Sequence, residues 1–166
     1  MSVRFLGRTK ALLAATALTA TMAVGCTAGQ WEPKAPPAAG VQTTTDDGFK
    51  VRNLLIVSDD AGNAVLEGSI TANRAFTLND AGYSAEQPDG TWSTAAQLPI
   101  SQATSQQNKL TLGGPSNAFQ APELTPGRLA IVGLQFDEGV QIQLEVPVYD
   151  ASHPDFATAW AEATQG

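Results

Sequence analysis

Five apolar residues, Val140, Ile142, Leu144, Val146 and Val148, alternate with Gln141, Gln143, Glu145, Pro147 and Tyr149. A period of two predicts a strand over 139–149 with one buried face and one wet face. Pro147 has no N–H to give to a ladder, so that end is expected at a sheet edge. The turn Asp137-Glu138-Gly139 joins this strand to 128–136 as a hairpin. Residues 49–58 form a more continuous apolar strand, followed by the turn cluster Asp59-Asp60-Ala61-Gly62-Asn63. Over 65–73, Leu66, Gly68, Ile70 and Ala72 alternate with Glu67, Ser69 and Thr71. Shorter strands are expected at 76–78, 91–98 and 109–112. Pro88-Asp89-Gly90, Gly113-Gly114-Pro115 and Thr125-Pro126-Gly127 mark turns between them. About seven short strands at this spacing predict an all-β domain, an antiparallel β-sandwich, over 48–149. No alternation of strands with helices supports a Rossmann fold or an α/β barrel.

The pattern changes over the tail, 150–166. His153-Pro154-Asp155-Phe156 has the form of a helix start, and Phe156, Trp160 and Ala163 then share one helical stripe. A helix of about ten residues is marginal alone, so it must dock. Either it packs on its own domain or it reaches another protein, and in the second case Phe156 and Trp160 are the candidate partner contacts.

At the other end, Arg4, Arg8 and Lys10 precede an apolar run, 11–24, that is too short to span a bilayer. With Ala23-Val24-Gly25-Cys26 behind it, the segment reads as a lipoprotein signal peptide over 1–25, cleaved before Cys26. Cys26 is the lone cysteine of the chain and the expected lipidation site. Two or three acyl chains there, palmitate among them, hold a protein stably on a membrane. Residues 26–47, with Pro33, Pro36 and Pro37, are expected to be a flexible tether. As a coil it would span about 25 Å, and stretched about 70 Å. The expected location is the extracytoplasmic face of the cell membrane, with the bilayer itself as one partner.

Beyond the leader the chain keeps six cations, Lys34, Lys50, Arg52, Arg74, Lys109 and Arg128, against 16 acids, a net charge of −10. A surface this acidic is unsuited to nucleic acid and is repelled by anionic lipid headgroups. With Cys26 acylated, no disulfide can form, and the fold must stand on its apolar core.

Candidate chemistry is sparse. The part after the leader has one histidine, His153, and no methionine. Zinc sites of the usual type need three or four Cys or His ligands, and copper carriers need Met sulfur, His or thiolate. His153 sits in the tail, a poor place to hold a catalytic base. Asp46-Asp47, Asp59-Asp60 and Asp137-Glu138 are oxygen donors that could hold calcium, but each lies near a Gly as turn residues do. Gly113-Gly114-Pro115 lacks the Lys of a phosphate loop. Trp92, Trp160, Tyr83 and Tyr149 are the aromatic candidates for a binding surface. No catalytic, metal or cofactor residue is assigned, and the chain is not expected to be an enzyme.

Cys26-Thr27-Ala28-Gly29-Gln30 after the leader, the run Val51-Arg52-Asn53-Leu54-Leu55-Ile56-Val57 and the strand end Val146-Pro147-Val148 resemble the actinobacterial LpqE-type lipoproteins. That resemblance covers 26–149 and leaves the tail without a counterpart. It implies an immunoglobulin-like or cupredoxin-like β-sandwich, distantly similar to PCuAC-type copper chaperones. It also implies an accessory role at the cytochrome bcc–aa3 respiratory complex. The chaperones use His and Met ligands, a set this sequence lacks. The leading expectation is therefore a non-catalytic subunit of a membrane protein complex. The alternative is a small-ligand or metal-binding module, including a degenerate copper chaperone.

Overall fold

The structure, a computed structural model, describes residues 39–103 and 108–164. The expected signal peptide and Cys26 lie outside the described residues. Within them the chain forms ten strands: β1 (Val41–Thr44), β2 (Lys50–Ser58), β3 (Asn63–Thr71), β4 (Thr77–Ala85), β5 (Ala96–Leu98), β6 (Gln102–Ala103), β7 (Lys109–Leu112), β8 (Ala118–Gln120), β9 (Leu129–Phe136) and β10 (Gln141–Asp150). One short helix, α1 (Ala157–Thr164), follows. The fold is all-β with a short C-terminal helix, as the alternation of the sequence requires.

The strands run β5-β4-β9-β10-β2-β3-β7, with β1 on β2, β6 on β4 and β8 on β3. β2 and β10 join the two halves. One edge of β2 pairs with β3. The other edge is shared, with β1 on residues up to Leu54 and β10 on Ile56, Val57 and Ser58. The β10–β2 contact is parallel, whereas the other pairings of these strands are antiparallel. It places Asp150 opposite Ser58, so the last residues of β2 and of β10 emerge side by side. Pro147 immediately precedes this contact. Val148 makes its backbone bonds to Arg128 and Gly127 on the β9 side. The proline nitrogen therefore points to the edge where β2 has not yet begun to pair.

The core collects the inward face of both halves. Val51, Leu54, Ile56, Leu66 and Ile70 meet Leu78, Val132, Leu134, Phe136 and Val146, all at most 2% exposed. Phe49, Phe76 and Phe136 form an aromatic cluster with ring centroids 4.5–5.6 Å apart, near the favoured spacing for offset and edge-on contacts. The continuous apolar run of β2 has a simple cause. Leu54 and Ile56 face this core, while Leu55 and Val57 face a second cluster with Ala151 and Phe156 from the tail. Both faces of the strand are covered, so it does not alternate.

The 128–149 hairpin forms as expected. Gln141 pairs with Gln135, and the turn takes positive φ at Glu138 (59°) and Gly139 (77°). Other elements differ from the sequence expectation. β4 extends to Ala85 rather than ending at Leu78, because a bulge between Leu78 and Asp80 shifts its register. Only 96–98 of the strand expected over 91–98 is regular. Trp92 contributes an isolated bridge to Glu86. β1 corrects the tether boundary of 26–47. Val41 and Thr43 turn half-buried faces inward, and the chain from Val41 to Thr44 is an ordered strand on β2.

Candidate functional site

Of the two residues expected as partner contacts, Phe156 is 7% exposed and packs in its own domain. Its ring lies 4.8 Å from that of Tyr149. This corrects its assignment to a partner surface: the ring seats the tail on Leu55 and Val57. The backbone N–H of Ala157 bonds to the His153 carbonyl and that of Trp160 to the Phe156 carbonyl. A turn at His153 thus leads into the helix, which begins at Ala157, three residues after Pro154 rather than at it. Ala163, on the same stripe, is also buried. Trp160, between them, is half-buried and remains partly open.

Two depressions meet at Trp160. One, of about 590 Å³, runs between α1 and β8; Pro115, Ala118, Phe119, Trp160 and Ala163 line it together with the polar Asp59, Asn63, Gln120 and Thr164. The other, of about 500 Å³, is lined by Asp59, Asp60, Asp150, Ser152 and Trp160. Asp59 and Trp160 belong to both. Three carboxylates thus stand around one indole, and among the described residues no Lys or Arg lines either depression.

Nearby backbone N–H groups fix two of these carboxylates. Asp59 Oδ1 accepts the backbone N–H of Ala61 (3.0 Å) and of Asn63 (2.8 Å), and Oδ2 accepts Asn63 Nδ2 (2.7 Å). Partial desolvation pushes its pKa up. The hydrogen bonds from Asn63 and Ala61 outweigh that and hold it below the ordinary carboxylate value. Asp150 Oδ1 accepts the Ser152 N–H at 2.7 Å, which holds Asp150 low as well. Both are anionic at neutral pH.

A different surface lies on the outer face of β5-β4-β9-β10. Gln97, Gln135, Gln141 and Gln143 wall a shallow trough of about 580 Å³ whose floor includes Gly82 and Gly133. The register explains it: Gly82 pairs with both Gln97 and Gly133, and Gly133 with Gln143. Asp80 at one end accepts Gln97 Nε2 at 3.1 Å. The trough offers amides and one carboxylate, with no second acid or base to transfer a proton.

The remaining aromatic candidates separate. Tyr83 is a core residue, 4% exposed, with its ring 5.5 Å from Phe119. Tyr149 donates its hydroxyl to the Ala39 carbonyl at 2.9 Å, tying the start of the described chain to β10. Trp92 is 39% exposed. His153 is exposed, and its Nδ1 faces the Asp155 N–H at 3.3 Å. Among the described residues no three of His, Cys, Asp and Glu are placed to hold a metal ion. No described helix is long and apolar enough to cross a membrane.

No family model matches the sequence, and no curated protein matches it. The solved structures similar to the chain include the following two. A copper-bound PCuAC domain from PmoF2 matches 66% of this chain and 98% of its own, at 13% identity and a TM-score of 0.40. A DNA-bound alkylpurine DNA glycosylase, AlkC of Pseudomonas fluorescens, matches 61% of this chain and 30% of its own, at 10% identity and a TM-score of 0.35.

Proposed function

We propose that this chain is a lipid-anchored, extracytoplasmic and non-catalytic subunit that binds a membrane protein complex, with the cytochrome bcc–aa3 respiratory complex as the specific candidate. One observation carries the interaction role. The tail is locked to its own sheet through Phe156, yet it holds Trp160 partly open where two depressions meet. Aromatic side chains in such settings are the usual anchors of protein interfaces. The leader ending in Cys26 supports the anchor, and the LpqE-type resemblance supports the respiratory partner.

A tagged chain recovered from native membranes in mild detergent tests this. Near-stoichiometric cytochrome subunits, identified by mass spectrometry and a haem spectrum, are the expected result. A haem-free eluate would remove the respiratory partner.

A second reading is a small-ligand module, favoured by the glutamine-walled trough over Gly82 and Gly133. Its amides suit a neutral polar ligand. For the copper version, the described residues bring no ligand cluster together. Titrating the chain with Cu(I) and Cu(II) tests that version directly, and binding no tighter than that of a free peptide disposes of it.

A further inference from the structure

We infer that the groove between α1 and β8 docks a basic polypeptide segment, with an apolar side chain of that segment seated against Trp160. The inference rests on the reading of this chain as a protein-interaction subunit, and it names the surface and the chemistry of the partner.

The groove is mixed, with an apolar strip beside the polar side chains of Asn63, Gln120 and Thr164. Pro115, Ala118, Phe119 and Ala163 line it together with the indole of Trp160. Its rim and the adjoining depression are acidic, through Asp59, Asp60 and Asp150. Among the described residues these acids make no ion pair with Lys or Arg, the carboxylate–cation contacts there being those of Arg74 with Asp137 and Glu138 and of His153 with Asp155; His153 is also close enough to Asp150 to act on its charge. The strand register keeps both described lysines away. Lys50 begins β2 and Lys109 begins β7, and both are opposite Thr71 at the end of β3. Asp59 follows the far end of β2, and Asp150 is paired with Ser58 at that same end. Arg128 lies near this end through its backbone bond with Val148, but its guanidinium donates to the Gln87 carbonyl and lines neither depression, so Trp160 sits beside uncompensated acids.

This arrangement selects among occupants. A second copy docking symmetrically would set Asp59, Asp60 and Asp150 against themselves. An anionic bilayer or a nucleic acid would be repelled. A Lys- or Arg-bearing segment is attracted, and its stems can lie along Phe119, Ala163 and the indole while their charges reach the acids. The two carboxylates fixed by backbone N–H groups are preorganised for that contact, so little side-chain freedom is lost on binding.

The test uses the full chain with Trp31→Phe and Trp92→Phe, which leaves Trp160 as the one indole emitter. The probe is a ten-residue peptide of alternating Lys and Leu, with a Gln–Leu peptide as the neutral control. Saturable change in Trp160 emission with the Lys peptide alone is expected, and it should weaken as salt rises. Asp60→Asn with Asp150→Asn should weaken the affinity roughly three- to tenfold. Asp46→Asn with Asp47→Asn, in the turn after β1, should leave it unchanged.

Absence of saturation overturns the inference, as does equal affinity in both double variants. An equal response to the neutral peptide, or to calcium chloride alone, overturns it as well. Far-UV circular dichroism of each variant separates a lost fold from lost binding. If the membrane pull-down recovers its complex while the peptide fails, the interaction role stands and another face carries it. If the eluate is empty, the role itself fails.

Discussion

The Tyr83 hydroxyl donates a 2.6 Å hydrogen bond to Glu123 Oε1, across 40 residues of sequence. It ties the core side of β4 to the loop that leads from β8 to β9. Burial raises the Tyr83 pKa, and the hydrogen bond and charge of Glu123 raise it further. Because the folded value lies above the unfolded one, this contribution to stability is complete below about pH 10 and is lost as pH climbs beyond it. Tyr83→Phe should cost about 1.5 kcal/mol at neutral pH. It should also flatten the alkaline decline in stability. Urea melts at pH 7 and at intervals above pH 10 measure both, and an unchanged alkaline slope would refute the account.

Glu67 presents the opposite problem, an acid without a partner. It is opposite Leu55 on β2, and its Oε1 is buried with no hydrogen-bond donor among the described residues. Desolvation raises its pKa. A raised value means that its stabilising contribution is present in acid, below the unfolded pKa, and is lost as pH rises through the folded pKa. Glu67→Gln removes that loss. The variant should match the wild type near pH 4 and melt at a higher temperature at pH 7. A variant that is less stable at pH 7 would mean that the carboxylate has a role in the folded state that its surroundings do not reveal.

Much of this fold is legible in the sequence because burial imposes a period. The alternation of 140–149 marks β10, and Lys109–Leu112 appears as the strand expected there. Where the ladder is irregular, the period breaks. In β4 the buried positions run Leu78, Ala81, Tyr83 and Ala85, so the bulge after Leu78 hides all but the first residues of the strand. β6 and β8, two and three residues long, are too short to carry a period. The acidic cluster beside Trp160 is hidden for a different reason. Asp59-Asp60 reads as a turn, and is one. Only the parallel pairing of β10 with β2 brings Asp150 beside it, and a parallel contact between strands about 90 residues apart leaves no local signal. The trough is half legible, since Gln141 and Gln143 stand out in β10. Gly82, Gly133 and Gln97 join them only through register.

The aromatic cluster should dominate core stability. Phe136 is 1% exposed and touches both Phe49 and Phe76. Phe136→Ala removes a full ring from a closed space and should cost about 3–5 kcal/mol. For a domain of this size that is a large share of the folding free energy. A loss below about 1 kcal/mol in urea unfolding would mean that neighbouring side chains collapse into the space.

The tail should come away from the sandwich as a unit when its ring is removed. α1 spans eight residues, a length that does not stay helical alone. Its attachment is the small cluster of Phe156, Ala151, Leu55 and Val57, with Tyr149 and Trp160 packed on it. The main core of the sandwich does not include these tail residues. Phe156→Ala should therefore release the helix while the strands stay paired, a local opening rather than global unfolding. Helical signal in far-UV circular dichroism should fall, the emission of Trp160 should shift to the red, and the main melting transition should move little. Trp160→Phe keeps a ring at the same place and should leave the helix docked. The pair separates two roles on one short helix: Phe156 holds it, and Trp160 is what it holds out. If Phe156→Ala instead collapsed the whole melting transition, the tail would belong to the cooperative core, and the anionic groove would be as rigid as the sandwich beneath it.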